Sequence, residues 1–235
     1  MPEHTLTRFD AELEDLKSLQ VAMIKIVRKN IKQSLQALRE GDLELAARVI
    51  KQDEAANALE VQADEAARAL IVRHQPAASD LRFVFAATKI VTDLERMSDL
   101  AANIAQDVLR MKEQRPQSLG AIPDMQDLIL DQLKRVRDAY LNRDTHLAQT
   151  VIEHDQRINE AFANTQRVML TYMAENPAAL SQYMALINIA KVLERIGDHI
   201  TNIAEMVIYT VIGHEVRHID RDKLTELLSD EDDDE

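Results

Sequence analysis

Cysteine and tryptophan are absent from the 235 residues, and glycine and proline are scarce, at four and five. Without Cys there are no disulfides, no thiolate metal ligands and no cysteine nucleophile. Aromatic residues make up 3% of the chain, which with so little Gly and Pro argues against a β-sandwich or barrel. Long apolar runs are missing too. The longest, Phe83 to Ala87, has five residues, against about 20 for a bilayer span. The opening Met1, Pro2, Glu3, His4 has no apolar stretch for a signal peptide, so the chain is expected to be soluble and intracellular, without direct membrane insertion. Positive charge is in the minority: 28 Lys and Arg against 41 Asp and Glu give a net charge of −13. That balance argues against binding to a nucleic-acid backbone.

What remains is a helical vocabulary. Apolar residues make up 46%, with Ala, Leu, Glu, Arg, Gln and Ile prominent, and the length suffices for one or two domains with a real core. Phe9, Leu13, Leu16, Met23, Val27, Ile31, Leu35 and Leu38 recur at steps of three, four or seven. Phe83, Ala87, Ile90, Leu94, Met97, Ala101, Ile104, Val108 and Met111 form an unbroken alternation of four and three. The rare Gly and Pro divide the helices. Gly41 with Asp42 reads as a stop and an N-cap, and Asn142 to Asp144 resembles it. Pro76 closes another helix, with Ser79 expected to cap the next, and Asn176 is expected to cap a helix with Pro177 at its first position. The expected helices are 7–40, 42–75, 79–114, 123–142, 144–175 and 177–213, long enough for an elongated shape and joined by turns short enough to make antiparallel neighbours.

The pattern occurs twice. Residues 86–105 match 185–204 at nine of twenty positions, including Glu95/Glu194, Arg96/Arg195, Asp99/Asp198 and Asn103/Asn202. A shift of 102 pairs Asp42 with Asp144, Leu45 with Leu147, Val49 with Val151, Asp53 with Asp155 and Asn57 with Asn159. A shared heptad explains the apolar matches but not the polar ones, so the chain is read as an internal duplication. The expected fold is all-α, two tandem three-helix bundles: residues 1–114, a linker at 115–122, residues 123–219, and a disordered acidic tail at 220–235.

The repeated acids avoid the core face. At 100° per residue, Glu95 lies about 130° and Asp99 about 170° from the middle of the apolar stripe. The pair sits at i and i+4, with Asn103 one turn on; Glu194, Asp198 and Asn202 reproduce it. Three readings stand: a solvated face, ion pairs from Arg96 to Asp99 and Arg195 to Asp198, or metal coordination. Like charges at i,i+4 destabilise a helix by roughly 0.2–0.5 kcal/mol, so such a row needs a cation or open water. Carboxylates with an amide suit hard ions. Glu95, Asp99, Glu194 and Asp198 are the main candidates, with Asp53 and Asp155 as further ligands from the preceding helices. His214, Glu215 and His218 fit H-E-x-x-H, but Gly213 is expected to end the helix before them, and a third ligand from Glu226 has no support. No Gly-rich phosphate loop, Ser-His-Asp order or ferritin-type Glu-x-x-His pair lies in the bundle.

These residues resemble the PhoU family of phosphate-transport accessory proteins. Asp93-Leu-Glu-Arg-Met-Ser-Asp99 and Leu193-Glu-Arg-Ile-Gly-Asp-His199 resemble its doubled E(D)xxxD signature. His74-Gln-Pro76 with Ser79-Asp-Leu-Arg82 resembles the lead-in, and the segment from Val207 to His218 the ending. Met97-Ser98 departs from the usual Ile-Gly. The resemblance implies PhoU-like bundles, metal ions (iron, manganese, zinc or magnesium) on Glu95, Asp99, Glu194 and Asp198, and a cytoplasmic, non-enzymatic homodimer. It also implies negative regulation of phosphate uptake and starvation signalling, through the phosphate ABC transporter ATPase and a phosphate-sensing membrane histidine kinase. The alternatives are a carboxylate-bridged metalloenzyme acting on phosphate compounds and a metal-free helical adaptor.

Overall fold

A computed structural model describes residues 2–112, 118–217, 219 and 227, with side chains from residue 8 onward, and six long helices account for most of the described residues. They are α1 (Pro2–Glu40), α2 (Leu43–His74), α3 (Ala78–Met111), α4 (Ile122–Asn142), α5 (Thr145–Glu175) and α6 (Leu180–Ile212), with one 3₁₀ turn at Pro177–Ala179. There is no strand among the described residues. Residues 113–114 of the expected third helix, 115–117 of the expected linker, His218, and the tail from 220 apart from Leu227 lie outside the described residues.

The halves are α1–α2–α3 and α4–α5–α6, each a three-helix bundle, joined by packing of α3 on α6 and α1 on α4. The apolar stripes are the core: all eight α1 positions and the α3 series from Phe83 to Val108 are buried. Their α6 counterparts Leu186, Ile189, Leu193, Ile196, Ile200, Ile203 and Val207 are buried as well. α3 is buried on further faces through Val84, Val91, Leu100 and Ala105, as a helix must be when neighbours cover several of its sides. One apolar cluster runs through both halves.

α3 and α6 run antiparallel. Phe85 meets Tyr209 edge-on at 6.3 Å, Asp93 accepts from Asn202 Nδ2 at 3.2 Å, and Asp107 accepts from Asn188 Nδ2 at 2.5 Å. This register puts the two Glu-Arg motifs at one level, the first facing α2 and the second α5. A second pin ties α4 to the first half. The buried Tyr140 hydroxyl donates to Gln20 Oε1, Gln20 Nε2 donates to the Ala87 carbonyl at 3.2 Å, and burial pushes the Tyr140 phenol far above its usual range.

The duplicated turns have the expected chemistry. Asp42 and Asp144 both cap their helices, accepting from Leu45 N and Leu147 N at 2.8 Å each. The left-handed residue before the cap is Gly41 in one copy and Arg143 (φ 54°) in the other. Gly213, at φ 78°, ends α6 as expected and leaves His214 and Glu215 outside a helix. Two expected caps are corrected. Ser79 lies inside α3, whose cap position is Ala77, with extended backbone and no side-chain bond. The Asn176 side chain caps nothing, because Pro177–Ala179 turns as a 3₁₀ segment before α6 starts at Leu180 rather than 177. Two boundaries also move: α1 starts at Pro2, ahead of 7, and α3 ends at Met111, short of 114.

Removing either working cap leaves free N–H groups at a helix start. Asp42→Ala and Asp144→Ala are each expected to cost about 1 kcal/mol in urea denaturation, and to add in the double variant. A neutral double variant would show that the caps carry no stability.

Candidate functional site

Alanine brings the acids of the first half together. The face of α2 toward its neighbours is built on Ala56, Ala63 and Ala67, all buried, and small side chains allow the closer end of the 8–10 Å range of helix separations. On that helix Asp53 and Glu60 lie seven residues apart, so they share a face. Opposite them α3 presents Glu95 and Asp99. Asp99 lies within hydrogen-bonding reach of Asp53, and Asp53 Oδ1 is buried with no donor. Burial pushes the Asp99 carboxyl up, and the Asp53 charge adds to it. The Glu95 carboxyl is raised by burial, then by the charges of Asp99 and Glu60. Burial and then the Asp64 charge do the same to Glu60.

Counter-charge is thin. The i+3 pair expected between Arg96 and Asp99 is not formed among the described ion pairs. Arg96 Nε instead lies 3.6 Å from Glu95 Oε2, with the Arg96 side chain 61% exposed and that of Glu95 16%. A mostly hydrated guanidinium at that distance offsets little. Four carboxylates therefore crowd an interface held together by its apolar residues.

The second half repeats the frame with altered contents. Asp155 on α5 accepts from Asn159 Nδ2 at 2.9 Å. Its Oδ1 lies 3.3 Å from where a Cβ on Gly197 would stand, and Ile158 Cδ1 lies 3.0 Å from it. Gly197 thus admits both the bulkier Ile158, where the first half has Ala56, and the carboxylate. Asp198, on the exposed rim of α6, is pushed up by burial of its carboxyl, then by the charges of Glu194 and Asp155. Here a cation is built in: Lys191 Nζ lies 2.7 and 2.6 Å from the two Glu194 oxygens and 5.3 Å over the Phe162 ring. By the two shifts, Lys191 replaces Thr92 and Phe162 replaces Glu60. No Arg195–Asp198 ion pair forms among the described residues.

The weaker candidates divide. Asp53 lies beside Asp99 and Asp155 beside Asp198, whereas Asn103 is exposed and Asn202 turns toward α3, donating to Asp93. His199 Nδ1 lies 2.8 Å from the same Asp93 oxygen, so Asp93 joins the two halves. Reading the sequence missed Glu60, Asp93, His199 and Lys191. Glu60 was findable as an acid two turns from Asp53 on the same face. The other three depend on the α3–α6 register and on a substitution that breaks the repeat. Among the described residues, no three His, Asp or Glu side chains converge as a finished coordination sphere. Oxygen donors on two helices, one of them a buried oxygen without a donor, nonetheless fit a hard cation in composition and charge.

The PhoU domain family matches residues 21–108 and 122–207, one copy in each half. The phosphate-specific transport system accessory protein PhoU homolog of a Burkholderia species is 36% identical over 233 residues, spanning 95% of this chain and 97% of that protein. The accessory protein PhoU of Escherichia coli K12 is 31% identical over 233 residues, spanning 99% and 97%. The crystal structure of PhoU from Pseudomonas aeruginosa aligns with a TM-score of 0.84 at 36% identity, covering 88% of this chain and all of that one.

A carboxyl whose pKa is raised on folding binds more protons in the folded than in the unfolded chain across the raised interval, so stability falls as pH rises through it. In metal-free protein at neutral pH, Asp99→Asn is therefore expected to stabilise by about 0.5 kcal/mol in urea. The gain should vanish in acid, where the carboxyls are protonated. A destabilised neutral-pH variant would contradict the repulsion.

Proposed function

We propose a function whose premise is settled: this chain belongs to the PhoU family. Relatives that match it over nearly the whole chain are named phosphate-specific transport system accessory proteins. We read the chain likewise as an accessory protein of phosphate-specific transport. In finer terms it is a negative regulator of phosphate uptake and starvation signalling. When phosphate is plentiful it damps the transporter ATPase and holds the phosphate-sensing membrane histidine kinase in its non-signalling state, acting as a homodimer. One observation carries the physical part: the packing of α2 on α3 gathers acids, and burial followed by neighbouring negative charge raises the carboxyls of Glu60, Glu95 and Asp99, without an adequate counter-charge.

A hard cation is the missing partner in this reading. Asp53, Glu60, Glu95 and Asp99 would hold it in the first half, and Asp155, Glu194 and Asp198 in the second. The bound ion supplies positive charge that relieves the repulsion and ties α2 to α3 and α5 to α6. The all-oxygen donor set favours iron, manganese or magnesium over zinc. No catalytic step is assigned: His199, the imidazole beside Asp198, is held by Asp93 at 2.8 Å.

The halves should differ. Lys191 already neutralises Glu194 and Phe162 stands in for a fourth acid, so the first half binds more tightly. In titrations of metal-free protein with manganese, Asp53→Asn/Asp99→Asn should abolish the tighter binding. Lys191→Thr should strengthen the weaker by about threefold, by releasing Glu194. Equal affinities unaffected by either change would place the metal elsewhere. In the cell, deletion of the gene should turn on phosphate-starvation genes in phosphate-rich medium, and unchanged expression would remove the regulatory reading.

A further inference from the structure

The acids are not the extreme of charge in this molecule. On α1, Lys25, Arg28, Lys29 and Lys32 recur at i, i+3, i+4 and i+7 and so share one face. Lys134 and Arg137 on α4 face them. Together these six line a groove of about 590 Å³, with no acid, aromatic or apolar side chain in its wall. The core face of α1 is formed by other residues, Met23, Ile24, Val27 and Ile31, so the fold does not need the basic row.

Its charge is unspent. Arg137 is paired, through Asp138 Oδ1 at 2.6 Å. Lys25, Arg28, Lys29, Lys32 and Lys134 form no ion pair among the described residues. Some cations elsewhere on the surface are matched locally, as in Arg8–Glu12, Arg110–Asp107 and Arg135–Asp131; the groove differs in gathering five unmatched ones on two facing walls. A solvated helix face in a chain of net charge −13 should be rich in acids. Instead, like charges at i,i+3 and i,i+4 weaken α1 by roughly 0.2–0.5 kcal/mol per pair. An anion between the two walls would remove that cost.

The walls define which anion. The volume lies within the range of small-molecule sites. Its lining is charged heads carried on Lys and Arg stems, with no aromatic ring among the residues that form it, so a ligand recognised chiefly by its negative charge fits best. Cations on two facing helices grip an object between them, where a flat bilayer would meet only their tips. The α1 row is about 10 Å long at 1.5 Å per residue, and Arg28 and Arg137 offer forked donors that match phosphate oxygens. We propose that the groove between α1 and α4 binds a short linear polyphosphate, three or more phosphates long, lying along the α1 row. This site is separate from the carboxylate clusters, and it does not depend on the regulatory reading.

The test is calorimetric titration of the full, metal-free chain with inorganic tripolyphosphate, orthophosphate and a hexaglutamate peptide. Tripolyphosphate should bind saturably at one site, at least about tenfold more tightly than orthophosphate, and more weakly as salt rises. Lys29→Glu/Lys32→Glu should weaken it at least about tenfold, while the charge-matched Arg157→Glu/Arg167→Glu on α5 changes it less than about twofold. Circular dichroism confirms folding, and Lys29→Gln/Lys32→Gln replaces the first variant if it fails to fold. Absence of saturable binding, or equal loss in the groove and α5 variants, would overturn the proposal. So would tighter binding of hexaglutamate, which would make the groove a dock for an acidic peptide.

Discussion

Repulsion among carboxylates is the constraint on which the reading of this molecule depends. Apolar burial and alanine-lined contact set the approach of α2 to α3, and Asp53, Glu60, Glu95 and Asp99 are carried along by it. A helix face in water could spread such charges apart. Here burial is the larger effect on Glu60, Glu95 and Asp99, their neighbours' charges add to it, and the nearest guanidinium is mostly hydrated. An interface that concentrates one sign of charge in this way is suited to a cation that the chain itself does not supply.

Duplication built the frame twice, and divergence then made the halves unequal. The first half keeps small residues on α2 and a fourth acid. The second takes Ile158 against Gly197, Phe162 in place of Glu60, and Lys191 over Glu194. The exchange of Thr92 for Lys191 puts an ammonium where the other copy has none, so the second cluster is partly neutralised from within. Meanwhile Asp93, His199 and Asn202 join the halves across α3 and α6 and break the symmetry in another way. Two copies of one motif thus serve one level of the molecule with different charge states.

Much of this was legible in the sequence, for a physical reason. Heptad spacing is a direct record of burial, and the α1, α3 and α6 stripes lie in the core where spacing put them. Asp caps are local, so Asp42 and Asp144 were readable from neighbouring residues. Ser79 and Asn176 were not, because the chain enters α3 in an extended conformation at Ala77 and winds a 3₁₀ turn before α6. The acid pairs at i,i+4 could be seen, along with Asp53 and Asp155. Which residues oppose them could not, since that depends on the helix register that carries Glu60 to Glu95 and Asn202 to Asp93. Composition likewise concealed the basic groove, because an overall excess of acid says nothing about where the cations gather.

Anomalous scattering from crystals grown with manganese tests the central claim most directly. The account predicts a strong peak between α2 and α3, with carboxylate oxygens of Asp53, Glu95 and Asp99 at coordination distance, and a weaker one or none beside Glu194. Crystals in which Glu95 and Asp99 contact solvent or arginine alone, with manganese bound elsewhere or absent, would contradict it.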